Sequence, residues 1–338
     1  MYEGAVDWSK GFSARYYATI VDTVSWRDLE EIDIVGGSIS RTDSNLRESA
    51  DITFINYDQS TEQWIRIWLD VRQGGASHHE ALFTGIATSP DKTIEGNLVT
   101  NSVKCYSVLK PADDILLDRG WYVPAGSNGG RVIRDLLKKV TPAPIVIYPE
   151  AKGVDQTIIA EDGETHLTMV NKILDAMGWR IRISGDGTIE VQPSATLLEP
   201  SVTFDAINND SIEPSLSVTN DWYSCPNVFR AVADNLVAVA RDEAAIEERG
   251  REIWMEETNC DLYYGETIYQ YAKRRLQQER LVEYSVSYTR RYFPDLVASD
   301  IVELHYPAQN IMGTFYITSQ TINLGYGASV SEEVLRYE

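Results

Sequence analysis

Two histidines stand side by side at positions 78 and 79, in GGASHHE. Metal ligands on one strand or helix sit two, three or four positions apart so that they share a face. Adjacent residues point apart, and this stretch reads as a loop at a strand's end with no metal. His166 opens a helical stretch, and His305 lies in a strand between Leu304 and Tyr306. Neither has a serine or cysteine in a nucleophile motif to serve, and GxSxG, HExxH and the phosphate-loop pattern are all missing. Residues 127–131, SNGGR, are glycine-rich before a helix, a geometry that can hold an anion at the helix N-terminus. The lysine and preceding strand of a phosphate loop are lacking, so they read as a flexible interdomain loop. Residues 184–190, SGDGTIE, lack the repeated ligands of a calcium loop and read as a hairpin turn. Cys105, Cys225 and Cys260 are far apart with no CxxC pair, which argues against both a disulfide framework and structural zinc. Cys105 is expected in the core. No catalytic, cofactor or metal residue is expected.

Carboxylates are plentiful, as at Asp113-Asp114, Glu161-Asp162-Glu164, Glu247-Glu248 and Glu256-Glu257. A glycosidase needs two of them held roughly 5–10 Å apart across a cleft. Most of these runs fall in polar or glycine-rich stretches, where solvation accounts for them. The 19 Tyr and 8 Trp suit strand cores, protein interfaces or glycan binding. Tyr263, Tyr264, Tyr269 and Tyr271 cluster at the start of the last helix, beside Lys273, Arg274 and Arg275, the one dense basic run. These seven are the interface candidates. The basic run is expected to pair with acidic neighbours at a subunit or domain contact.

The elements that carry these residues are mostly strands. Residues 1–110 hold about six. In one of them Ile65, Ile67, Leu69 and Val71 alternate with Arg66, Trp68, Asp70 and Arg72, the period-two pattern of a strand with one face inward. Residues 111–200 change character. Helices are expected near 130–140 and 165–177, the second ending at a Gly178 cap, and a hairpin over 180–192 turns at Gly185-Asp186-Gly187. Residues 201–338 return to β, with a hairpin turning at Asp234-Asn235, a charged stretch at 241–250 that reads as a loop or a short solvated helix, and a helix near 267–280. In the strands that follow, Val282, Tyr284, Val286 and Tyr288 alternate with polar residues. Phe315 and Ile317 sit in one phase and Ile322 and Leu324 in the other. A period of two absorbs that shift only through a bulge or bend. The fold class is therefore α+β, predominantly β.

At 338 residues the chain can bury substantial cores and divide into two or three domains. No apolar run approaches the roughly 20 residues of a membrane span, so no membrane insertion is expected, and MYEGAVDWSKGF has no secretory pattern. The net charge of −21 divides into −6, −4 and −11 over the three parts. A protein that grips nucleic acid by its phosphates needs a basic patch. Spread acidity suits solubility, or a channel wall past which DNA slides.

The order of phrases resembles the late-control-D and baseplate-hub family of phage tail proteins. KRRLQQER leads into VEYSVSYT; SDIVELHYP, IMGTFYITSQTINL and a terminal VLRYE follow; SVLKPADDILL and WYVPAGSNGGRVIRDLL stand upstream. The resemblance covers nearly the whole chain. It implies two tail-tube-like β-barrel domains, 1–110 and 201–338, flanking a small α+β domain, 111–200. It also implies a homotrimeric ring in a virion tail, assembled in the host cytoplasm. The ring's partners would be a tail tube or distal tail protein, a spike or central fibre protein and a tape-measure protein. A tail-associated cell-wall hydrolase and a glycan- or receptor-binding tail module are the alternatives, and purified cell wall as substrate separates the first of them.

The spread of charge makes one expectation direct. The protein should not retard duplex DNA in a mobility-shift titration at about 150 mM salt, because three cations on one helix supply few of the contacts that phosphate binding needs. Micromolar binding that weakens steeply with added salt would overturn this.

Overall fold

The first β unit is built of seven strands. They are β1 (Ser13–Val21), β2 (Asp28–Thr42), β3 (Glu48–Ile55), β4 (Gln63–Gln73), β5 (Ala76–Ala87), β6 (Asp91–Glu95) and β7 (Leu98–Ser107). The structure is a computed structural model. It describes the chain except residues 1–4, 44–45, 56, 58–60, 96–97, 150–152, 195–199, 207–210, 221–222, 234–235, 261, 263–264, 282–283, 295, 326 and 337–338. Pairing runs β1-β4-β5-β7-β3-β2, and β2 returns to β1, so six strands form a closed circuit with β6 added beside β7. Ile65, Ile67, Leu69 and Val71 all point inward, as their alternation predicts. Arg66 departs from the pattern. It is buried, and its guanidinium is satisfied by Asp28 at 2.9 Å, Thr84 Oγ1 at 3.0 Å and the Asp186 carbonyl at 3.0 Å. His78 and His79 lie within β5, not in a loop. The strand β2 is not apparent in the sequence, because its first half is acidic and Gly36-Gly37 interrupts it. Gly37 has φ +145°, and a Cβ there would lie 2.2 Å from the Asp51 carbonyl oxygen.

The middle part holds α1 (Lys110–Asp114), β8 (Tyr122–Val123), α2 (Gly129–Leu137), β9 (Ile145–Ile147), β10 (Ile158–Ile159), α3 (His166–Met177), β11 (Trp179–Ile183) and β12 (Ile189–Pro193). Thr165 caps α3 by accepting from the Thr168 N–H, and Gly178 ends it at φ 67°. SNGGR is not a flexible linker. Asn128 caps α2 through the Arg131 N–H, and Gly129 lets that helix press on α3, where a Cβ would lie 2.1 Å from Met177 Sδ. The β11–β12 turn docks on the first unit. Thr84 Oγ1 donates to the Gly185 carbonyl at 2.8 Å, and Trp26 Nε1 donates to the Asp186 carbonyl at 2.9 Å. A Cβ on Gly185 would stand 1.7 Å from the Ala81 carbonyl oxygen, so only glycine fits there.

The last part contains β13 (Val202–Asp205), β14 (Ile212–Asn220), β15 (Val228–Ala233), β16 (Leu236–Arg241), α4 (Glu243–Arg249), β17 (Trp254–Thr258), α5 (Ile268–Leu281), β18 (Tyr284–Arg291), β19 (Ile301–Tyr306), β20 (Ile311–Asn323) and β21 (Ser329–Arg336). Within the charged stretch 241–250, Glu243–Arg249 form a short helix, with Asp242 accepting from the Ala245 N–H and Gly250 at φ 65° closing it. The expected 234–235 turn lies outside the described residues, but β15 and β16 pair antiparallel on either side of it. The strands β15, β16 and β17 make a separate small sheet against α5, with Phe229, Ala231, Tyr271, Ala272 and Leu276 as its core. This module interrupts the main sheet between β14 and β18. The last part's strands in the main sheet run β13-β19-β20-β21-β18-β14, and among the described residues β13 and β14 do not pair with each other.

The strand β20 holds the expected phase shift. Its register against β21 slips between Ile317 and Ser319, leaving Thr318 as the extra residue. Before this bulge, Phe315 and Ile317 enter a core with Val286, Val334 and Phe204. After it, Ile322 and Leu324 enter the core of the first β unit, with Ile39, Ile52 and Val330. The strands β2 and β20 pair antiparallel over Ser38–Thr42 and Ser319–Asn323, so both β units belong to one sheet. Across this join runs a buried polar row of directly opposed residues: Glu48, Arg41, Gln320 and Glu332. Arg41 Nη1 donates to Gln320 Oε1 at 3.0 Å, and Gln320 Nε2 donates to Glu332 Oε1 at 2.7 Å. Arg290 closes the row with two bonds to Glu332, at 2.8 and 2.6 Å, both side chains being wholly buried.

Two consequences can be measured. Glu332→Ala leaves the Arg290 guanidinium buried without its partner, so the variant should lose about 3–5 kcal/mol in denaturant unfolding. An Arg290→Met/Glu332→Leu double variant should recover most of that loss; equal loss in both would show that shape, not charge, holds the site. Glu48 is buried, and desolvation pushes its carboxyl from 4.5 up to about 8. The folded value is raised, so Glu48's contribution is full at low pH and declines as pH rises from about 4.5 to about 8. Glu48→Gln cannot ionise and should gain Tm relative to the parent as pH is raised through that window; a constant difference would refute the assignment.

Candidate assembly surfaces

The seven interface candidates belong to the inserted module. Tyr263 and Tyr264 lie outside the described residues. The helix α5 presents Tyr271, Ala272 and Leu276 to β15 and β16, and Tyr271 is buried with its hydroxyl donating to Glu257 Oε1 at 2.8 Å. Burial and this carboxylate push the Tyr271 phenol far up. Arg274 grips Glu266 with two bonds, at 2.9 and 3.1 Å, and lies 4.9 Å from the Tyr271 ring centre. Arg275 bridges Glu257 and Glu279, each at 3.0 Å. Lys273 and Tyr269 are exposed. Two cations of the basic run are thus engaged within the module. Only Lys273 and Tyr269, among the described candidates, face outward.

The chemistry-bearing residues are dispersed. His78 contacts Glu80 at 2.9 Å, while His79 stacks on Trp68 at 4.4 Å and contacts Asp70. The His166 ring meets the Ile115 carbonyl at 3.0 Å, and His305 meets Glu303 at 2.9 Å. Lys110 bridges Asp113 and Asp114, Lys172 holds Glu164 at 2.6 Å, and Arg230 holds Glu256 at 2.9 Å. Among the described residues, no group of three His, Cys, Asp or Glu is placed to hold a metal.

A second surface is not apparent in the sequence. On the solvent side of β18, β21, β20, β2 and β3, short hydroxyls alternate with buried positions, with Glu333, Asp51 and Lys104 on the same face. Thr289, Ser331, Thr321, Ser40 and Ser49 stand directly opposite one another across β18, β21, β20, β2 and β3. Ser217 and Ser287 extend the face on β14 and β18. The sequence signal is the Ser/Thr phase of SVSYT, TSQTIN, GGSIS and ASVS. Seen one strand at a time it says only that one face is wet; the β2–β20 pairing makes it one surface.

No protein-family model matches the sequence, and no curated protein does. Several solved structures match in fold. A tail protein from Neisseria meningitidis superposes with TM-score 0.71 at 16% identity, covering 95% of this chain and 97% of that one. The prophage MuSo2 43 kDa tail protein from Shewanella oneidensis gives TM-score 0.71 at 15% identity, covering 96% and 97%. An E. coli type VI secretion component, described as similar to the T4 tail proteins gp27 and gp5, gives 0.54 at 10%, covering 91% and 74%. Over almost its whole length, this chain has the fold of prophage tail proteins.

Proposed function

We propose that the chain is a structural hub of a phage or phage-like tail. Three copies close into a ring that joins a six-fold tail tube to a three-fold spike or central fibre, and DNA passes along its axis. The observation that carries this reading is the continuous sheet β14-β18-β21-β20-β2-β3-β7-β6, which crosses both β units and carries a band of hydroxyls on its solvent side from β14 to β3. Two β units per chain, at 1–110 and 201–338 around the middle domain, supply six wall segments in a trimer, the number a six-fold tube requires. The path ends in unlike strands: among the described residues, β14 pairs only with β18 and β6 only with β7. A head-to-tail contact between unlike surfaces closes a ring when its rotation permits. Pro214 in β14 removes one backbone donor from that edge, which favours subunits that stay apart until a tail partner organises them.

The wall chemistry suits passage of a polyanion. Hydroxyls satisfy water and provide no counter-charge to phosphate, and the net charge of −21 repels it. The likeness to tail proteins, and to a type VI secretion component described as similar to gp27 and gp5, supports a place beside a spike, with the tape-measure protein approaching the lumen from above. The role is mechanical and not enzymatic, in a virion tail.

Mass measurement at tens of micromolar and on isolated tails tests the ring, together with negative-stain images. The expected result is a three-chain species, or a three-fold ring with a central hole within tails. A strictly monomeric protein in both settings would overturn the proposal.

A further inference from the structure

A narrow cleft lies where three parts of the chain meet. Arg41, Arg47 and Glu48 come from the first β unit, Arg180 and Arg182 from β11, and Ser299 and Asp300 from the loop before β19. The cleft encloses about 30 Å³, enough for one small ion or water and too little for an organic ligand. Three buried polar atoms on its lining have no hydrogen-bond partner: Nε of Arg47, Nε of Arg180 and Oε1 of Glu48. Buried orphans are rare in native proteins, and several in one cleft point to a missing partner. The Glu48 side chain is 3% exposed, so bulk water does not satisfy it.

Charge decides what that partner is. Four guanidiniums line the cleft. The carboxylates that face them are Asp43, 2.9 Å from Arg47, and Asp300, 3.9 Å from Arg182. Glu48 stands 4.0 Å from Arg41, and its carboxyl is pushed up to about 8, so near neutral pH it stays largely protonated. Two cations are then left over in a chain that is strongly acidic elsewhere. An unpartnered guanidinium Nε–H is a donor, and a neutral carboxyl can donate as well. Water could accept from the two arginines but would leave the excess charge buried. We propose that the cleft binds a small inorganic anion of chloride size, held by Arg47 Nε, Arg180 Nε and Glu48, which fastens the first β unit, the β11–β12 hairpin and the loop before β19 together.

Thermal unfolding at constant ionic strength, with sodium gluconate replaced stepwise by sodium bromide, tests this independently of oligomeric state. Tm should rise with the logarithm of bromide concentration once the site begins to fill. Crystals soaked in bromide should show an anomalous peak in contact with the Nε atoms of Arg47 and Arg180. Arg180→Gln should lose the bromide dependence while keeping the parent's circular dichroism in gluconate; if that variant does not fold, the anomalous map of the parent decides. A cleft holding only water in the bromide crystals would overturn the proposal, as would a Tm response with the peak elsewhere.

Discussion

The bulge at Thr318 is the constraint on which the rest of the molecule depends. A regular strand shows one set of alternate residues to one core. By inserting a single residue, β20 turns Phe315 and Ile317 into the core of the last β unit and Ile322 and Leu324 into that of the first. Each such side chain contributes roughly 1.5–3 kcal/mol when fully buried, so both cores draw on β20 and the residue that follows it. Without the bulge, either Ile322 and Leu324 or Phe315 and Ile317 would face water, and the two β units could not share a sheet. The polar row from Glu48 to Arg290 follows from the same geometry. It sits at the join, where the inward side chains must pass from one core to the other, and from Arg41 through Gln320 and Glu332 to Arg290 its members hydrogen-bond in sequence, with Glu48 left at its end.

That bulge was legible in the sequence because apolar residues mark phase, and a change of phase has few physical causes. The helix α3 was legible for a similar reason: Thr165 and Gly178 each perform a local task that few residues can perform. What the sequence hid depends on distant partners. The strand β2 carries glutamates and two glycines, and it becomes a strand only between β1, β3 and β20. Arg66 read as outward because nothing nearby announces Asp28, Thr84 and Asp186 around it. Of the small sheet against α5, the β15–β16 hairpin was legible in the sequence, whereas β17 was hidden because it is short and its partner β15 lies across a helix. The tyrosines and arginines of α5 were legible as a cluster, but not in their division of labour, since the carboxylates Glu257 and Glu266 decide which of them turn inward.

Charge follows a similar division. Two of the three cations of the α5 basic run, Arg274 and Arg275, are engaged by Glu266, Glu257 and Glu279, while the broad face of the main sheet carries short hydroxyls. Large aromatics instead pack inside, as Phe54, Phe83, Phe204, Phe229 and Phe315 do. The result is a molecule whose interior is tightly specified and whose widest surface offers little to hold.

The join between β2 and β20 also sets a timetable. Arg41 and Gln320 are separated by 279 positions. At synthesis rates of roughly 5–20 residues per second, β2 waits on the order of tens of seconds for its partner strand. During that wait the first β unit lacks Ile322, Leu324 and Val330 from its core and has an unpaired strand edge, the state most open to mispairing. A chain cut short before β20 would keep that defect permanently. Completion of the first unit is therefore a physical record that β20 has been synthesised.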